Sequence, residues 1–164
     1  MSNKTTLTAE PGSPIIRIER TFDAPPVKVF LAFTLKDKIE RWWSPSGNAR
    51  IDDLDAREGG KWRFTHVTPE GQEITFFGYF HEITPPERIV QTAEFASMPV
   101  RGHVVLDKYE FTKLDNGRTQ MELTEAFMSV ADRDAAVEAG VETGLAQSYL
   151  NLDTVLQEMK KRDI

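Results

Sequence analysis

Asp107 and Glu125 are the residues of this sequence whose types and spacing point most directly to acid–base chemistry. A three-residue loop at Asp115-Asn116-Gly117, with glycine in the left-handed position, sets a hairpin register that places the two carboxyls opposite each other on an apolar face. Like charges directly opposite destabilise a sheet, unless a bulge breaks the pairing. Two explanations stay open. The pair lies at a wet rim or beside an arginine, or one carboxyl holds a proton inside a pocket and acts as a donor or acid.

Two histidines are weaker candidates for the same interior. Each continues the alternation of a strand that carries aromatic residues: Trp62 and Phe64 before His66, and Phe77 and Tyr79 before His81. A histidine without an identified partner is more often structural than catalytic. The sequence contains no H-E-x-x-H, G-x-S-x-G, P-loop or G-x-G-x-x-G pattern, and it contains no cysteine. We therefore assign no catalytic residue, no metal ligand and no cofactor.

Composition and charge describe an ordinary globular chain and argue against several kinds of partner. The 164 residues are 40% hydrophobic and 28% charged, which suits one domain with a core. A net charge of -6 argues against nucleic acid, whose phosphates require clustered Lys and Arg. No apolar run approaches the ~18 residues of a membrane span, and the polar N-terminus is not a signal peptide. Because there is no cysteine for disulfides, a cytoplasmic protein is the simplest expectation.

Alternating and helical patterns along the chain predict one domain of class α+β. Residues 1–13 are polar and are expected to form a disordered leader, so that residues 14–164 form the domain. The predicted order is a strand (15–22), two short helices (within 23–34 and 36–43), six strands (48–56, 61–66, 74–83, 88–95, 104–114 and 118–127) and a long C-terminal helix. Hairpin connections indicate an antiparallel sheet of about seven strands, which the apolar stripe of the last helix covers.

A sheet curved around one helix encloses more volume than that helix fills. Such space has to be filled by bulky side chains, wetted, or used for a ligand. The predicted hairpin register places Phe111 opposite Met121 and Tyr109 opposite Leu123, so the large residues share one face. The prediction is therefore part core and part pocket wall. The candidate ligand-binding residues are Trp43, Trp62, Phe64, His66, Phe77, Tyr79, His81, Asp107, Tyr109, Phe111, Met121, Leu123, Glu125, Leu145 and Tyr149.

Five segments carry a resemblance to a known family: RTFDAPPVKVFLAFT (Arg20–Thr34), IERWWSP (Ile39–Pro45), DAREGGKWRF (Asp55–Phe64), PEGQE (Pro69–Glu73) and FGYFHEITPPERIVQT (Phe77–Thr92). As an ordered set they resemble the activator of heat-shock-protein-90 ATPase homologue-like family of the START-related, birch-pollen-allergen-like (SRPBCC) superfamily. The resemblance spans residues 15 to 160. It implies a helix-grip fold whose cavity binds hydrophobic or amphipathic small molecules.

The resemblance also places the paired Trp42 and Trp43 in the short helices at the cavity opening. Adjacent residues cannot share one face of a helix. Ile39 lies on the same side as Trp42, so we expect Trp42 to be the more buried and Trp43 to cover the mouth. This chain departs from relatives in two places. They often have glycine at the position of Ser44 and tryptophan at that of Leu145, where leucine should leave more room.

The expected function is binding, sequestering or carrying a hydrophobic, ring-containing small molecule. The alternative is a polyketide cyclase- or hydrolase-like enzyme that uses Asp107, Glu125, His66 or His81 as acid or base, which requires two such groups within hydrogen-bond reach. A second alternative is a co-chaperone that activates a heat-shock ATPase. It is disfavoured, because those activators carry a separate N-terminal domain for which the short leader leaves no room. Homodimerisation through exposed strand or helix surfaces stays open.

Overall fold

Eight antiparallel strands form one curved sheet in the computed structural model, which describes residues 3–162. The strands are β1 (Thr6–Thr8), β2 (Ile15–Phe22), β3 (Ala49–Leu54), β4 (Lys61–Val67), β5 (Glu73–Thr84), β6 (Arg88–Phe95), β7 (Val104–Lys113) and β8 (Thr119–Ala126). Their order across the sheet is β1-β2-β8-β7-β6-β5-β4-β3. Every pair of neighbouring strands is consecutive in the chain, except β2 and β8. The two short helices lie between β2 and β3 in the chain.

The helices cover one face of this sheet, which we call the inner face. They are α1 (Pro26–Thr34), α2 (Lys36–Trp42), α3 (Val130–Glu138) and α4 (Val141–Lys161). On α4, Tyr149, Leu152, Leu156 and Met159 recur at spacings of three and four and are buried in the core with the inner-face side chains of the sheet. The predicted helix-grip architecture is therefore confirmed. No helix within residues 3–162 is long and apolar enough to cross a membrane.

The expectation of a disordered leader is wrong for the segment that contains β1. Residues 6–8 pair with residues 17–19 of β2, and Leu7 packs against the core. This strand raises the number of strands from the expected seven or so to eight. Three residues of Thr-Leu-Thr are too short a pattern to identify alone, because the partner that stabilises them comes from another part of the chain. Residues 1–2 and 163–164, which the predicted domain bounds include, lie outside the described residues.

The alternation of β5 is opposite to the one that places Phe77, Tyr79 and His81 inside. Trp62 pairs with Gly78, and Phe64 pairs with Phe76, so the even-numbered residues of β5 share the inner face with the aromatic residues of β4. Phe80 is accordingly buried. Both alternations of β5 carry aromatic residues, which is why only the pairing with β4 decides between them.

Phe77, Tyr79 and His81 instead lie on the outer face, and they do not line the interior. Tyr79 is 54% exposed and His81 is exposed as well. The ring of Phe77 packs beneath the guanidinium groups of Arg63 and Arg101, at 5.2 and 5.3 Å from the ring centre. These three residues are therefore corrections to the predicted set.

Burial of the inner face differs between the two ends of α4. The inner-face residues near its C-terminal half are fully buried, among them Phe22, Met121, Leu123, Leu152 and Met159. At the other end the inner-face side chains are only half-buried: Phe76, Ala93, Val105 and Phe127 on the sheet side, and Val141 and Leu145 on α4. The interior is therefore less completely buried at this end than at the other.

Candidate ligand-binding site

The hairpin of β7 and β8 places Asp107 directly opposite Glu125, as predicted. The register runs without a bulge from Lys113 to Leu106, because the turn is closed by Asn116 and Gly117, with φ of 65° and 70°. Those left-handed values suit glycine and asparagine and connect the strands at this register. The same register pairs Phe111 with Met121 and Tyr109 with Leu123, so these predicted pairs are confirmed.

Asp107 and Glu125, which we call the acid pair, meet inside the protein. Asp107 is 5% exposed, and a hydrogen bond joins its carboxyl to that of Glu125. The amide of Gln91, opposite Asp107 on β6, also hydrogen-bonds to the Asp107 carboxyl. Within residues 3–162, neither Asp107 Oδ1 nor Glu125 Oε1 has a hydrogen-bond partner, and no Lys or Arg forms a salt bridge with either carboxyl. Asp107 therefore lies neither at a wet rim nor beside an arginine partner.

The surroundings of the acid pair favour its protonated form. Burial is the largest cause that raises the pKa of Asp107 well above its usual value, followed by the charge of Glu125. Burial also raises the pKa of Glu125 to about 7. Their mutual hydrogen bond raises the pKa of Asp107 and lowers that of Glu125. Asp107 is therefore the proton donor, and near neutral pH the pair holds a proton that Glu125 accepts in a hydrogen bond.

Two tyrosines border the acid pair. Tyr109 follows Asp107 in the same alternation of β7, and Tyr149 projects from α4. Burial raises the pKa of both phenols, and the charges of the two carboxyls raise it further, so both phenols stay neutral near pH 7. Tyr149 Oη is buried and has no hydrogen-bond partner among the described residues. It is a further polar atom that could meet a ligand.

Arg20 on β2 is a buried cation that the sequence reasoning missed. It is 2% exposed, and its two terminal nitrogens donate to both carboxylate oxygens of Asp153 on α4 at 2.7 Å. Its guanidinium also lies 4.9 Å from the ring centre of Phe22. Asp153 thus neutralises Arg20 at the closed end of the interior. A charged residue in the apolar alternation of β2 was the available signal.

The acid pair lies between a closed and an open part of the inner face. One step toward the buried core, Ile89, Tyr109 and Leu123 form the next row across the strands. One step the other way, Ala93 on β6 pairs with Val105 on β7, and Phe127 follows Glu125 in the alternation of β8. These last three residues, the open row, are half-buried. A molecule entering at the open row would therefore meet the carboxyls at its inner end.

Aromatic residues form a wall beside the open row. Trp43 is half-buried and meets Phe64 and Phe76 edge-on, at 5.4 and 6.1 Å between ring centres. Trp42 is 4% exposed, and its indole Nε1 donates to the carbonyl of Ala32 at 2.8 Å. The predicted order of burial is confirmed, because Trp42 packs into the core whereas Trp43 covers the aromatic rings of β4 and β5.

Trp62 has a structural contact that limits its part in binding. Its indole crosses over Gly78 on β5, and its Nε1 donates to the carbonyl of Thr92 on β6 at 3.0 Å. A Cβ at Gly78 would overlap the Thr92 carbonyl, so glycine is needed at this point. Trp62 is buried and joins three neighbouring strands.

His66 lies on the inner face of β4 and is held by the loop that follows α2. Its Nδ1 hydrogen-bonds to the hydroxyl of Ser44, which is fully buried and also lies 2.9 Å from the Ser46 hydroxyl. The side-chain amide of Asn151 on α4 donates to the Ser44 carbonyl at 3.1 Å. The serine that replaces the glycine of relatives therefore ties this loop to β4, which is a structural role for His66.

Eleven of the fifteen predicted site residues lie on the inner face or on α4, and Trp43 lies just past the end of α2 and packs against Phe64 and Phe76. Trp62, Phe64, Phe111, Met121, Leu123 and Tyr149 are buried in the core. Trp43, His66, Tyr109, Glu125 and Leu145 are half-buried, and Asp107 is buried between Gln91 and Glu125. The sequence reasoning missed Gln91 and the open row, whose signal was the alternation of β6 against β7. No three His, Asp or Glu side chains within residues 3–162 are arranged to hold a metal ion.

Two depressions on the outer surface lie away from the acid pair. One of about 500 Å³ is bordered by Asp23, Arg118 and Lys160. Another of about 330 Å³ is bordered by Arg88 and Glu110. In each, an arginine pairs with a carboxylate of the same depression: Arg118 with Asp23 at 2.9 Å and Arg88 with Glu110 at 3.8 Å. The acid pair, with its unpartnered oxygens, is therefore the stronger candidate site.

Known structures share this fold. They include a crystal structure of a protein from Mycobacterium smegmatis, with 20% identity, 93% of this chain and 96% of that chain covered, and a TM-score of 0.84. A solution structure of a protein from Arthrobacter aurescens has 24% identity over 93% of this chain and 91% of that chain, with a TM-score of 0.84. A crystal structure of a protein from Chromobacterium violaceum has 25% identity over 87% of this chain and 96% of that chain, with a TM-score of 0.77.

A search of curated proteins found no match. The sequence pattern of one family, described as activator of Hsp90 ATPase homolog 1-like protein, matches residues 23–157. This range begins just after β2 and ends within α4, so it includes the acid pair, the open row and the aromatic wall. The chain belongs to the activator of Hsp90 ATPase homolog 1-like family.

Proposed function

We propose that the protein binds an amphipathic, ring-containing small molecule between the inner face of the sheet and the N-terminal half of α4. The observation that carries this proposal is the acid pair itself. Asp107 Oδ1 and Glu125 Oε1 are buried without hydrogen-bond partners in the described part of the chain, and they lie one step inside the half-buried open row. A bound molecule would satisfy these oxygens and cover the apolar side chains in front of them.

The energetics of the acid pair support a ligand-binding role over a purely structural one. A buried polar group without a partner costs about 1–3 kcal/mol, and a charged one costs more. Apolar residues of similar shape are often as stable or more stable in a core. Two carboxyls at the centre of an apolar face therefore reduce the stability of the protein itself. A role in binding gives a physical reason for their presence.

The half-buried aromatic wall supports the ring-containing character of the ligand. Trp43 and Phe76 are half-buried and edge-on to each other, so a flat ring can pack against them from the open end. Leucine at position 145 on α4 occupies less space than the tryptophan of relatives. The apolar body of the ligand would lie between this wall, the open row and Leu145.

The experiment compares two substitutions at adjacent positions of β7 with opposite orientations. Val105→Trp adds an indole to the open row, whereas Leu106→Trp adds the same group on the outer face, where Leu106 is exposed. The freshly purified proteins are analysed by native mass spectrometry for a bound small molecule and titrated with the neutral fluorescent dye N-phenyl-1-naphthylamine. We expect wild type and Leu106→Trp to bind the dye, and Val105→Trp to bind it at least about tenfold more weakly.

The proposal is contradicted if all three proteins bind the dye equally, or if none of them binds it and no adduct is found. Circular dichroism and thermal unfolding of both variants serve as controls for folding. The proposed ligand is the hydrophobic small molecule that the sequence analysis predicts as the binding partner. The cytoplasmic location and the homodimer stay predictions, for which fractionation and light scattering of the purified protein are the measurements.

A second candidate function is acid–base catalysis on the bound molecule. It is favoured by the hydrogen bond between the two carboxyls and by the pKa of Glu125, which burial raises to about 7. A group that titrates near neutral pH is effective in proton transfer. His81 is excluded from this chemistry by its place on the outer face.

The test of catalysis follows deuterium exchange at the carbon beside the carbonyl of a naphthyl ketone in D2O by NMR. If the acid pair transfers protons, wild type accelerates the exchange and Glu125→Gln loses this acceleration while it still binds the ketone. Exchange at the rate of buffer, with the protein saturated, would reject this candidate. The co-chaperone role stays the disfavoured second alternative. It is measured as stimulation of a purified heat-shock ATPase, and we expect no stimulation.

A further inference from the structure

We infer that the bound molecule carries a protonated amine, which donates to the unpartnered oxygens of Asp107 and Glu125 while its apolar body packs on the open row. This inference rests on the proposed ligand-binding function and specifies the chemical class of the ligand. It follows from which polar atoms a molecule entering at the open row would meet, and from the charges around them.

The polar atoms nearest the open row include two acceptors that lack donors. Asp107 keeps its proton and donates it in the hydrogen bond to Glu125. Asp107 Oδ1 and Glu125 Oε1 have no hydrogen-bond partner among the described residues, so both can accept from a ligand. The amide of Gln91 is already bonded to Asp107. A ligand that satisfies both oxygens must therefore carry at least two N–H or O–H groups on one atom or on neighbouring atoms. A primary ammonium group has three.

The charge around the acid pair favours a cation over a neutral donor. The groups whose charges act on the two carboxyls and on their neighbouring tyrosines are Arg20, Tyr149 and the carboxyls themselves, within residues 3–162. Arg20 is the one cation among them, and both of its terminal nitrogens are bound to Asp153. The ionised acid pair therefore has no counter-ion of its own.

The position of Arg20 explains why an anionic ligand is not expected at this site. Arg20 pairs with Met121, and the acid pair lies four residues farther along the same strand of the sheet, at Glu125. That separation is on the order of 13 Å along a strand. Its Nε has no partner, yet it is buried on the closed side of the acid pair. A ligand from the open row reaches the carboxyls first, so an anionic group would meet negative charge.

The experiment measures the affinity of four compounds that carry the same 2-naphthyl ring on a one- or two-carbon chain and differ in the polar group at its end. They are the primary amine, the alcohol, its methyl ether and the carboxylic acid, each titrated calorimetrically into the full chain at pH 8. Charge-assisted hydrogen bonds are roughly twice as strong as neutral ones. We therefore expect the amine to bind at least about tenfold more tightly than the alcohol, and the carboxylate to bind most weakly.

Glu125→Gln tests the contact itself, because it removes the charge and keeps the shape. The amine should lose about tenfold in affinity for this variant, whereas the alcohol should change by less than about threefold. Glu122→Gln is the matched control. It removes one carboxylate from the same strand, but Glu122 lies on the outer face near Arg17 at 3.9 Å, so binding should be unchanged.

The pH dependence supplies a readout that a purely steric role would not change. Between pH 6 and pH 8 Glu125 loses its proton while an alkylamine stays protonated, so wild type should bind the amine about tenfold more tightly at pH 8. Every other titratable group is present in Glu125→Gln, so a pH dependence that persists in this variant does not come from Glu125.

The ligand ranking in wild type tests the inference even if the variant does not fold. Equal or tighter binding of the alcohol, the ether or the carboxylate would overturn the amine assignment and leave the proposed binding function intact. An unchanged amine affinity in folded Glu125→Gln would overturn it as well. If none of the four compounds binds, both the inference and the proposed site for ring-containing molecules are contradicted.

Discussion

The buried acid pair predicts that the protein loses stability as the pH rises through neutrality. In the unfolded chain Glu125 titrates near 4.5, whereas in the folded protein burial raises its pKa to about 7. Between these values the folded state binds more protons than the unfolded state, so the free energy of unfolding decreases with increasing pH. The stabilisation is complete below pH 4.5 and is lost as the pH passes 7. Asp107, whose pKa is also raised, adds to this decline.

The magnitude follows from the difference in the pKa of Glu125 between the two states. One pKa unit corresponds to about 1.4 kcal/mol, so the shift from 4.5 to about 7 amounts to roughly 3 kcal/mol. This is a large share of the free energy of unfolding of a whole domain, which is typically about 5–15 kcal/mol. Glu125→Gln cannot ionise, and its amide can still accept the hydrogen bond from Asp107. The decline between pH 5 and pH 8 should therefore be roughly 3 kcal/mol smaller in this variant.

Urea unfolding at pH 5, 6, 7, 8 and 9, followed by tryptophan fluorescence, measures this difference. The free energy at each pH comes from linear extrapolation. Groups that titrate in the same window elsewhere are present in both proteins and cancel in the comparison. Glu122→Gln, on the outer face of the same strand, should keep the wild-type pH profile. Parallel profiles for wild type and Glu125→Gln would refute the reasoning, because they would mean that Glu125 titrates alike in both states.

Four further substitutions test the packing around the site, all by urea unfolding. Trp42→Ala should cost about 3–5 kcal/mol because the indole is buried; Trp43→Ala should cost less and weaken dye binding, and the reverse order of stabilities would contradict the assigned burial. Asp153→Asn should cost about 3 kcal/mol because it leaves Arg20 buried without a counter-ion, and a neutral effect would show that the pair is dispensable. Gly78→Ala should cost at least about 2 kcal/mol through backbone overlap, whereas an unchanged midpoint would show that β6 can move.

The hairpin of the acid pair shows how far local sequence rules reach. Asp115-Asn116-Gly117 allows few turn geometries, and the turn sets the register of both strands. The opposition of Asp107 and Glu125 followed from this, and so did their place on the face that carries Phe111 and Leu123. The side of Trp42 could be inferred in the same way, because the neighbours of a residue on a helix are determined by its periodicity.

The alternation of β5 shows where those rules stop. Aromatic residues occupy both of its faces, so the local pattern of Phe76-Phe77 and Tyr79-Phe80 does not choose an orientation. Pairing with β4 makes the choice, and it places Tyr79 and His81 outside. β1 is a similar case, because three residues become a strand only against β2.

The sequence by itself determined the family, the α+β order of elements and the register of the last hairpin, because each depends on residues close together in the chain. Only the tertiary structure decided which strands close the sheet, which half of the interior stays open and which charges lack partners. Arg20 meets Asp153 across more than a hundred residues, whereas the acid pair has no such cation. Burial and counter-ions come from elements distant in the chain, and they are what make two carboxyls in a hairpin a proposed binding site.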